Sequence, residues 1–270
     1  MTEKKRIGIM ISGSGTNMQA IVRACKSGQI NAEVAFVGAD NHGAKGLLWA
    51  VDAGIPTFVI DYAAMPPFIF DDLGEQVMYD NFWTPSEEGL KKVYEKSTFI
   101  HSWFDGNYSK QVNCIHKKMI AEYYILAKAR EYNIDLMALA GFMQVNTSFL
   151  IDGMNKGSYD PRIMNIHPAL LPAFPGVDGY GDTIRYGCKV GGCTVHFVDY
   201  GEDTGPIIGQ RAISVLPNSD IDSFKKRGLQ EEYELFPECI QLFVENRLRL
   251  ETVKQNNGLE RKIVKIIQED

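Results

Sequence analysis

Asn165 and His167 combine residue types and a spacing that suit catalysis. They follow the apolar residues Ile163 and Met164, and in a β-strand residues i and i+2 point the same way. Both side chains should therefore face one site, where the amide can donate a hydrogen bond and the imidazole can exchange a proton near neutral pH. A buried histidine beside a turn-forming asparagine is the simpler alternative. Two prolines in the next five residues restrict the path of the chain after the pair.

An acidic turn offers the carboxylate that such a pair needs. Residues 192–198 alternate as a strand does and run into Asp199, Glu202 and Asp203 before Gly205-Pro206 ends the turn. A carboxylate in such a loop orients an imidazole if the loop reaches it. The alternative is an ordinary solvated turn.

A loop rich in small residues, Ser12 to Asn17, lies between an expected strand and an expected helix. There the backbone N–H groups can approach an anion, and the helix N-terminus adds partial positive charge. Met18 replaces the third glycine of a dinucleotide fingerprint, and the Gly-Lys-Ser/Thr ending of a triphosphate loop is missing. The sequence predicts a site for one phosphate, or else a tight turn in which Thr16 or Asn17 caps the helix.

Alternating strands and helices must position these residues. Apolar strand patterns occur at 6–11, 33–37, 57–60, 136–140 and 163–166, and helical patterns begin at 16 or 17 and occupy 44–53 and 110–131. This alternation predicts an α/β fold, an open and mostly parallel Rossmann-like sheet with helices on both faces.

Two segments depart from the alternation. Residues 63–109 contain Pro66-Pro67, several aromatic residues and a short helical pattern at 86–95, so we interpret them as an aromatic-rich insertion. Residues 221–245 predict a helix, and 248–253 with 262–267 predict a terminal hairpin, in a single domain spanning 1–270.

Composition limits the function classes. The 270 residues carry a net charge of −6, which argues against a nucleic-acid partner because such binding needs a basic surface. No apolar run approaches the roughly 20 residues that span a bilayer, so we expect no membrane partner and a cytoplasmic location. Five scattered cysteines suit reduced thiols. Cys114 and His116 lack a second ligand pair, so we expect no metal.

Four segments, taken together, resemble the glycinamide ribonucleotide formyltransferase family. They are residues 11–17, 139–143, 165–172, and the strand 194–198 with residues 203–206. The family transfers a formyl group from 10-formyltetrahydrofolate to the amine of glycinamide ribonucleotide in purine synthesis. The motifs occur in the family's order and cover much of residues 5–60 and 130–245.

The resemblance implies three catalytic residues, Asn165, His167 and Asp203. A neutral amine attacks the formyl carbon, a tetrahedral oxyanion forms, and the folate nitrogen leaves after protonation. Asn165 would donate to the oxyanion, and His167 would move protons or, as an imidazolium, stabilise the oxyanion. Asp203 would orient His167, raise its pKa and position a relaying water.

The resemblance also implies binding residues. They are Gly15, Thr16 and Asn17 for the substrate phosphate, Glu232 for the ribose, and Gly141, Met143, Gln144 and Val145 for the folate co-substrate. Without the resemblance, we would interpret Glu232 as a solvated charge on a helix face. The resemblance implies small-molecule substrates, and we expect a monomer or a homodimer.

Two departures from the family pattern and three alternative functions bear on this interpretation. Gln144 replaces an arginine that many relatives carry, and Asp178 stands where they carry a histidine. A formyltransferase for a nucleotide-linked amino sugar would share the Asn, His and Asp. A formyltetrahydrofolate hydrolase would use a similar site with water as the acceptor. Methionyl-tRNA formylation fits an acidic chain of this length less well.

Overall fold

A seven-stranded sheet flanked by helices forms the centre of the molecule in the computed structural model, which describes residues 4–69, 76, 78, 80–157, 159–256 and 258–268. The strands are β1 Lys5–Ile11, β2 Ala32–Ala39, β3 Thr57–Val59, β4 Leu136–Leu139, β5 Ile163–His167, β6 Val190–Phe197, β7 Ile207–Ser214, β8 Leu248–Lys254 and β9 Glu260–Ile266. The α-helices are α1 Thr16–Ser27, α2 Gly46–Asp52, α3 Glu87–Lys96, α4 Tyr108–Glu131, α5 Ser148–Met154, α6 Gly179–Arg185 and α7 Ile221–Val244.

The sheet is parallel over five strands and antiparallel over two. Its order is β3-β2-β1-β4-β5-β6-β7, and β6 and β7 supply the antiparallel pairings. The parallel strands are nearly continuous apolar segments, as expected for strands covered on both faces. The predicted fold class, an open and mostly parallel α/β sheet, is confirmed.

Helices cover both faces of the sheet. Side chains alternate along each strand, so apolar residues on both faces need a covering layer. Ile9 of β1 packs in a cluster with residues of α1 and α7. Met10, the next residue, packs in a second cluster with residues of α4 and α5. Strand β2 extends to Ala39, two residues beyond the predicted 37, because the chain stays buried and paired with β1 through Gly38 and Ala39.

The predicted insertion carries the short helix expected there. Helix α3 is capped by Ser86, whose hydroxyl oxygen accepts a hydrogen bond from the backbone N–H of Gly89. Leu90 of α3 packs in a cluster with Ile115 of α4. Residues 70–75, 77 and 79 of the predicted insertion lie outside the described residues.

The C-terminal elements match the predicted order, with β8 and β9 paired as an antiparallel hairpin after α7. The hairpin packs against the core cluster through Leu248, Leu250 and Val264. Within the described part of the chain, no helix is long and apolar enough to cross a membrane.

Candidate active site

A cavity of about 490 Å³ opens where several loops at the sheet edge meet. Parallel strands β1, β4 and β5 end at the same edge, which is where open α/β sheets bind ligands. Residues lining the cavity come from segments 12–17, 139–146, 165–168 and 176–180, from the loop after β6, and from helix α7. All the site residues expected from the sequence line this cavity.

Strand β5 presents Asn165 and His167 to the cavity on the same side. The Asn165 side-chain nitrogen lies 3.2 Å from Nε2 of His196. His167 is 2% exposed, with Nε2 2.7 Å from the carbonyl oxygen of Phe174 and Nδ1 3.2 Å from the Asp203 carboxylate. Both ring nitrogens of His167 therefore face hydrogen-bond acceptors.

Asp203 reaches this pair because the loop between β6 and β7 folds back over the end of β5. Its backbone is left-handed, with φ of 53°, a conformation that aspartate tolerates better than most residues. The backbone N–H of Gly176 donates to its carboxylate at 2.8 Å. Burial opposes ionisation of Asp203, but His196, His167 and the Gly176 amide together hold its pKa below the ordinary value.

The pKa of the His167 imidazole lies below its ordinary value, which favours the neutral ring near neutral pH. Burial lowers its pKa, and this effect exceeds the opposing effects of Asp203 and the Phe174 carbonyl. Asp203 raises the His167 pKa, as expected, but the desolvation of the ring lowers it by more, so the net pKa lies below the ordinary value. A neutral ring can donate to only one of its two acceptors, whereas an imidazolium donates to both. An imidazolium at this position would therefore use both acceptors, which offsets part of the cost of burying its charge.

Thr194 fixes the chain that leaves β5. Its buried hydroxyl donates to the carbonyl of Ala169 at 2.7 Å and accepts from the backbone N–H of Leu171 at 3.0 Å. These bonds hold the proline-bounded segment that leads to Phe174, so Thr194 supports the catalytic geometry without facing the reacting groups.

The loop after β1 leads into the N-terminus of α1 through Gly15. Gly15 has φ of 70° and precedes the helix as its N-cap residue, and among the described side chains none caps it. The alternative in which Thr16 or Asn17 caps the helix is therefore wrong. A carbon added at Gly15 would lie 3.1 Å from the Cα of Gly46, so the position requires glycine. The uncapped first-turn amides can bind an anion.

Glu232 is buried, and the alternative of a solvated helix charge is wrong. It is 4% exposed. Its two carboxylate oxygens accept hydrogen bonds of 2.6 Å from the Asn17 amide and from the Tyr180 hydroxyl. Burial raises the Glu232 pKa, while these two donors act in the opposite direction. Asn17 thus connects the α1 N-terminus directly to Glu232.

The segment after β4 is joined to the loop after β1. Ser12 donates its backbone N–H to the carbonyl of Gly141 at 3.0 Å, and its hydroxyl accepts from the backbone N–H of Met143 at 2.8 Å. Gly141 has φ of 76°, and Met143 is exposed. Val145 lines the same cavity. The two predicted binding segments therefore share one hydrogen-bonded wall.

Both departures from the family pattern have local partners. Gln144 donates to the Asp40 carboxylate at 2.9 Å and accepts from the Lys118 ammonium at 3.1 Å. Asp178 forms a 2.6 Å ion pair with Arg185, and this hydrogen bond lowers its pKa. The Gln144 and Asp178 side chains are thus held by protein groups.

Two contributing residues were missed from the sequence. Tyr180 lies in a Gly-Tyr-Gly triplet that resembles a turn, and Lys118 is one of many lysines on a helix. Neither residue type has a local signature of burial. Within the described ranges, no group of three or more His, Cys, Asp or Glu side chains is arranged to hold a metal.

The model of one family, described as formyl transferase, matches residues 5–240. The phosphoribosylglycinamide formyltransferase of Bacillus subtilis strain 168 is 30% identical over 237 residues, 88% of this chain and 93% of that protein. The Drosophila melanogaster trifunctional purine biosynthetic protein adenosine-3 is 32% identical over 89% of this chain, which spans only 14% of that protein. The crystal structure of glycinamide ribonucleotide transformylase 1 from Symbiobacterium toebii has a TM-score of 0.70 and 32% identity, covering 99% of this chain and 96% of the other.

Proposed function

Since the chain belongs to the formyl transferase family, we propose that it transfers the formyl group of 10-formyltetrahydrofolate to the amine of glycinamide ribonucleotide, in purine biosynthesis. The supporting observation is the meeting of the Asn165, His167 and Asp203 side chains with the α1 N-terminus and Glu232 in one cavity. The trifunctional relatives are much longer than this chain, so the proposal concerns the transfer reaction alone.

Asn165 and His167 divide the chemistry of transfer. The acceptor nitrogen attacks the formyl carbon, and the carbonyl oxygen becomes an oxyanion to which the Asn165 amide donates. Since both ring nitrogens of His167 face protein acceptors, a relaying water beside Asp203 would carry the proton from the attacking nitrogen to the folate nitrogen, with His167 assisting the transfer. The bond between the folate nitrogen and the formyl carbon then breaks. The formyl group leaves one nitrogen and joins another, so no redox step or triphosphate is required.

Asp203 keeps His167 ready for this proton transfer. Its carboxylate lies 3.2 Å from Nδ1 of His167, and it stays ionised because its pKa is lowered. When His167 becomes an imidazolium, the nearby negative charge and the Phe174 carbonyl stabilise the new charge. Asp203 thus orients the ring and favours proton uptake.

The binding roles fall to two sets of residues that line the cavity. Gly15, Thr16 and Asn17 would bind the acceptor's phosphate through first-turn amides, and Glu232 would accept hydrogen bonds from the ribose. Gly141, Met143, Gln144 and Val145 would contact the folate, with Gln144 acting through its backbone because its side chain bonds Lys118 and Asp40. We also propose a single domain over 1–270, a monomer or homodimer, no metal, and a cytoplasmic location.

A transfer assay tests the proposal. Purified protein is given 10-formyltetrahydrofolate with glycinamide ribonucleotide, with an amino-sugar nucleotide, or with water alone, and both folate release and formylated acceptor are measured. We expect product with glycinamide ribonucleotide, without added metal or triphosphate. Equal folate release with and without acceptor would identify a hydrolase, and release dependent on the amino-sugar nucleotide would identify the other alternative.

A further inference from the structure

Tyr180 is buried in the wall of the cavity and is held there by packing and by a hydrogen bond. It lies near the start of α6, is 3% exposed and lines the cavity beside Glu232. Its ring packs edge-on against Phe224 of α7, with centroids 5.6 Å apart at 90°. Its hydroxyl donates to one oxygen of the Glu232 carboxylate at 2.6 Å. Both ends of this side chain are therefore fixed.

Gly228 provides the space that Tyr180 occupies. It lies inside helix α7, one turn before Glu232, where glycine weakens a helix relative to alanine. A Cβ built at Gly228 would overlap the ring carbons and the hydroxyl oxygen of Tyr180. The absence of a side chain at Gly228 therefore allows the Tyr180 hydroxyl to reach Glu232 in this geometry.

The Glu232 carboxylate is held by donors from two helices. Asn17 of α1 bonds Oε2 and Tyr180 of α6 bonds Oε1, each at 2.6 Å. A carboxylate has about four acceptor sites, so one on each oxygen remains after these two bonds. Two acceptor sites on a fixed carboxylate match the two hydroxyls of a vicinal diol.

We propose that Tyr180 is a positioning residue that fixes Glu232 to recognise a vicinal diol, so that the cavity selects ribose over 2-deoxyribose in its acceptor. This inference rests on the proposed function, since it deepens the assignment of Glu232 to the ribose. Tyr180 acts through Glu232, and the diol is the chemical feature recognised.

The charges around Glu232 give the proposal a pH signature. Burial raises its pKa, and the donors Tyr180 and Asn17 and the cation Lys225 of α7 lower it. Glu231 of α7 and Cys193 of β6 are the other ionisable groups that act on this cluster, through Tyr180. Removing the Tyr180 hydroxyl takes away one donor to the ionised form, so Glu232 should protonate at a higher pH in the variant.

Tyr180→Phe tests the proposal without catalysis. Binding of ribose 5-phosphate and of 2-deoxyribose 5-phosphate is measured by calorimetry for the wild type and the variant. We expect the wild type to prefer ribose 5-phosphate and the variant to lose about tenfold of that preference, as for one charged hydrogen bond. Tyr233→Phe on α7 is the matched control, because its hydroxyl has no hydrogen bond within the described residues.

Two further measurements separate positioning from packing. Gly228→Ala keeps the tyrosine but displaces its ring, so we expect the same loss of preference. In turnover assays, Tyr180→Phe should raise KM for glycinamide ribonucleotide, leave KM for folate unchanged, and move the acidic limb of the acceptor's KM profile to higher pH. Thermal melting checks that each variant is folded.

The outcomes are distinct. An unchanged sugar preference and pH profile in folded Tyr180→Phe would overturn the inference and leave the proposed function intact. A wild type that binds both sugar phosphates equally would do the same. A wild type that binds neither sugar phosphate and does not formylate glycinamide ribonucleotide would overturn both.

Discussion

At the scale of single residues, the position of one proton determines how the site works. Desolvation lowers the His167 pKa and so favours the neutral ring, whereas Asp203 and the Phe174 carbonyl can both accept hydrogen bonds from the charged form. A base must be unprotonated before the reaction and stable when protonated during it. Burial supplies the first property, and the two acceptors supply the second.

Loss of any one of the three central side chains should abolish most turnover. We expect Asn165→Ala, His167→Ala and Asp203→Ala each to lower kcat by about 100- to 10,000-fold, because they act in the transition state more than in ground-state binding. The effects should not add, since the side chains form one unit. Steady-state kinetics of folded variants measure this, with His42→Ala, an exposed histidine outside the cavity, as the control. Near-normal kcat in any single variant would remove that residue from the catalytic set.

Gly15 permits a separate test of the phosphate loop. In Gly15→Val, the side chain would meet the Met18 methyl at 2.8 Å and Gly46 at 3.1 Å, at a positive φ. We expect KM for the ribonucleotide to rise by at least about tenfold and KM for folate to stay nearly constant, because the proposed anion site is formed by the backbone amides that follow Gly15. Gly28→Val, at the other end of α1, adds similar backbone strain with no atom within 4 Å. Equal weakening of both substrates would refute the phosphate assignment.

At the scale of elements, sequence patterns predicted the parts that depend on local chemistry. The apolar strands and amphipathic helices appear in the predicted order, because binary patterning follows the period of each element. The pairing of Asn165 with His167 on one side of β5 follows from strand alternation. The burial of Glu232 could not be predicted in this way. It depends on Asn17, which is 215 residues away in the sequence, and on Tyr180, which is 52 residues away. The raising effect of Asp203 on the His167 pKa was predicted, but the net pKa could not be, because desolvation depends on packing over the whole site.

Helix α4 supports the predicted folate segment through a buried charge. Lys118 is 5% exposed, and its ammonium donates to the Gln144 side chain at 3.1 Å and to the Val145 carbonyl at 3.0 Å. Burial lowers its pKa. A charge is kept in such a place only where its partners compensate for lost solvation. The ammonium therefore fixes the 144–145 backbone from behind the cavity.

Removing this charge should weaken folate binding selectively. We expect Lys118→Met to raise KM for 10-formyltetrahydrofolate by about tenfold, the effect of losing hydrogen bonds from one charged group, with little change in KM for the ribonucleotide. Lys117→Met, the neighbouring and less buried lysine, is the matched control. Initial-rate kinetics with each substrate varied decide the outcome, and an equal rise in both KM values would show that Lys118 serves general stability.

At the scale of the whole molecule, the cavity contains positively polarised groups although the chain as a whole is negatively charged. The chain carries a net charge of −6, yet the proposed substrates are anions. Attraction must then come from short-range features such as the α1 N-terminus and Lys225, both at the cavity, since long-range forces between exposed charges are screened within about 10 Å. The same fold also buries ionisable groups that do not line the cavity, and these affect the stability of the fold.

Glu122 of α4 gives the final prediction, which concerns stability against pH. It is fully buried and accepts hydrogen bonds from the backbone N–H and hydroxyl of Thr147. Burial nevertheless raises its pKa from 4.5 to about 7. A raised pKa stabilises the fold below pH 4.5, and this contribution is lost as pH rises through 7. Glu122→Gln lacks the titration, so the free energy of unfolding of the wild type minus that of the variant should fall by about 3 kcal/mol between pH 4 and pH 8. Urea unfolding across this range measures the difference in free energy. The titration of other groups, such as His116, is common to both proteins and cancels in the difference. A difference that stays constant with pH would contradict the burial of a protonated carboxyl.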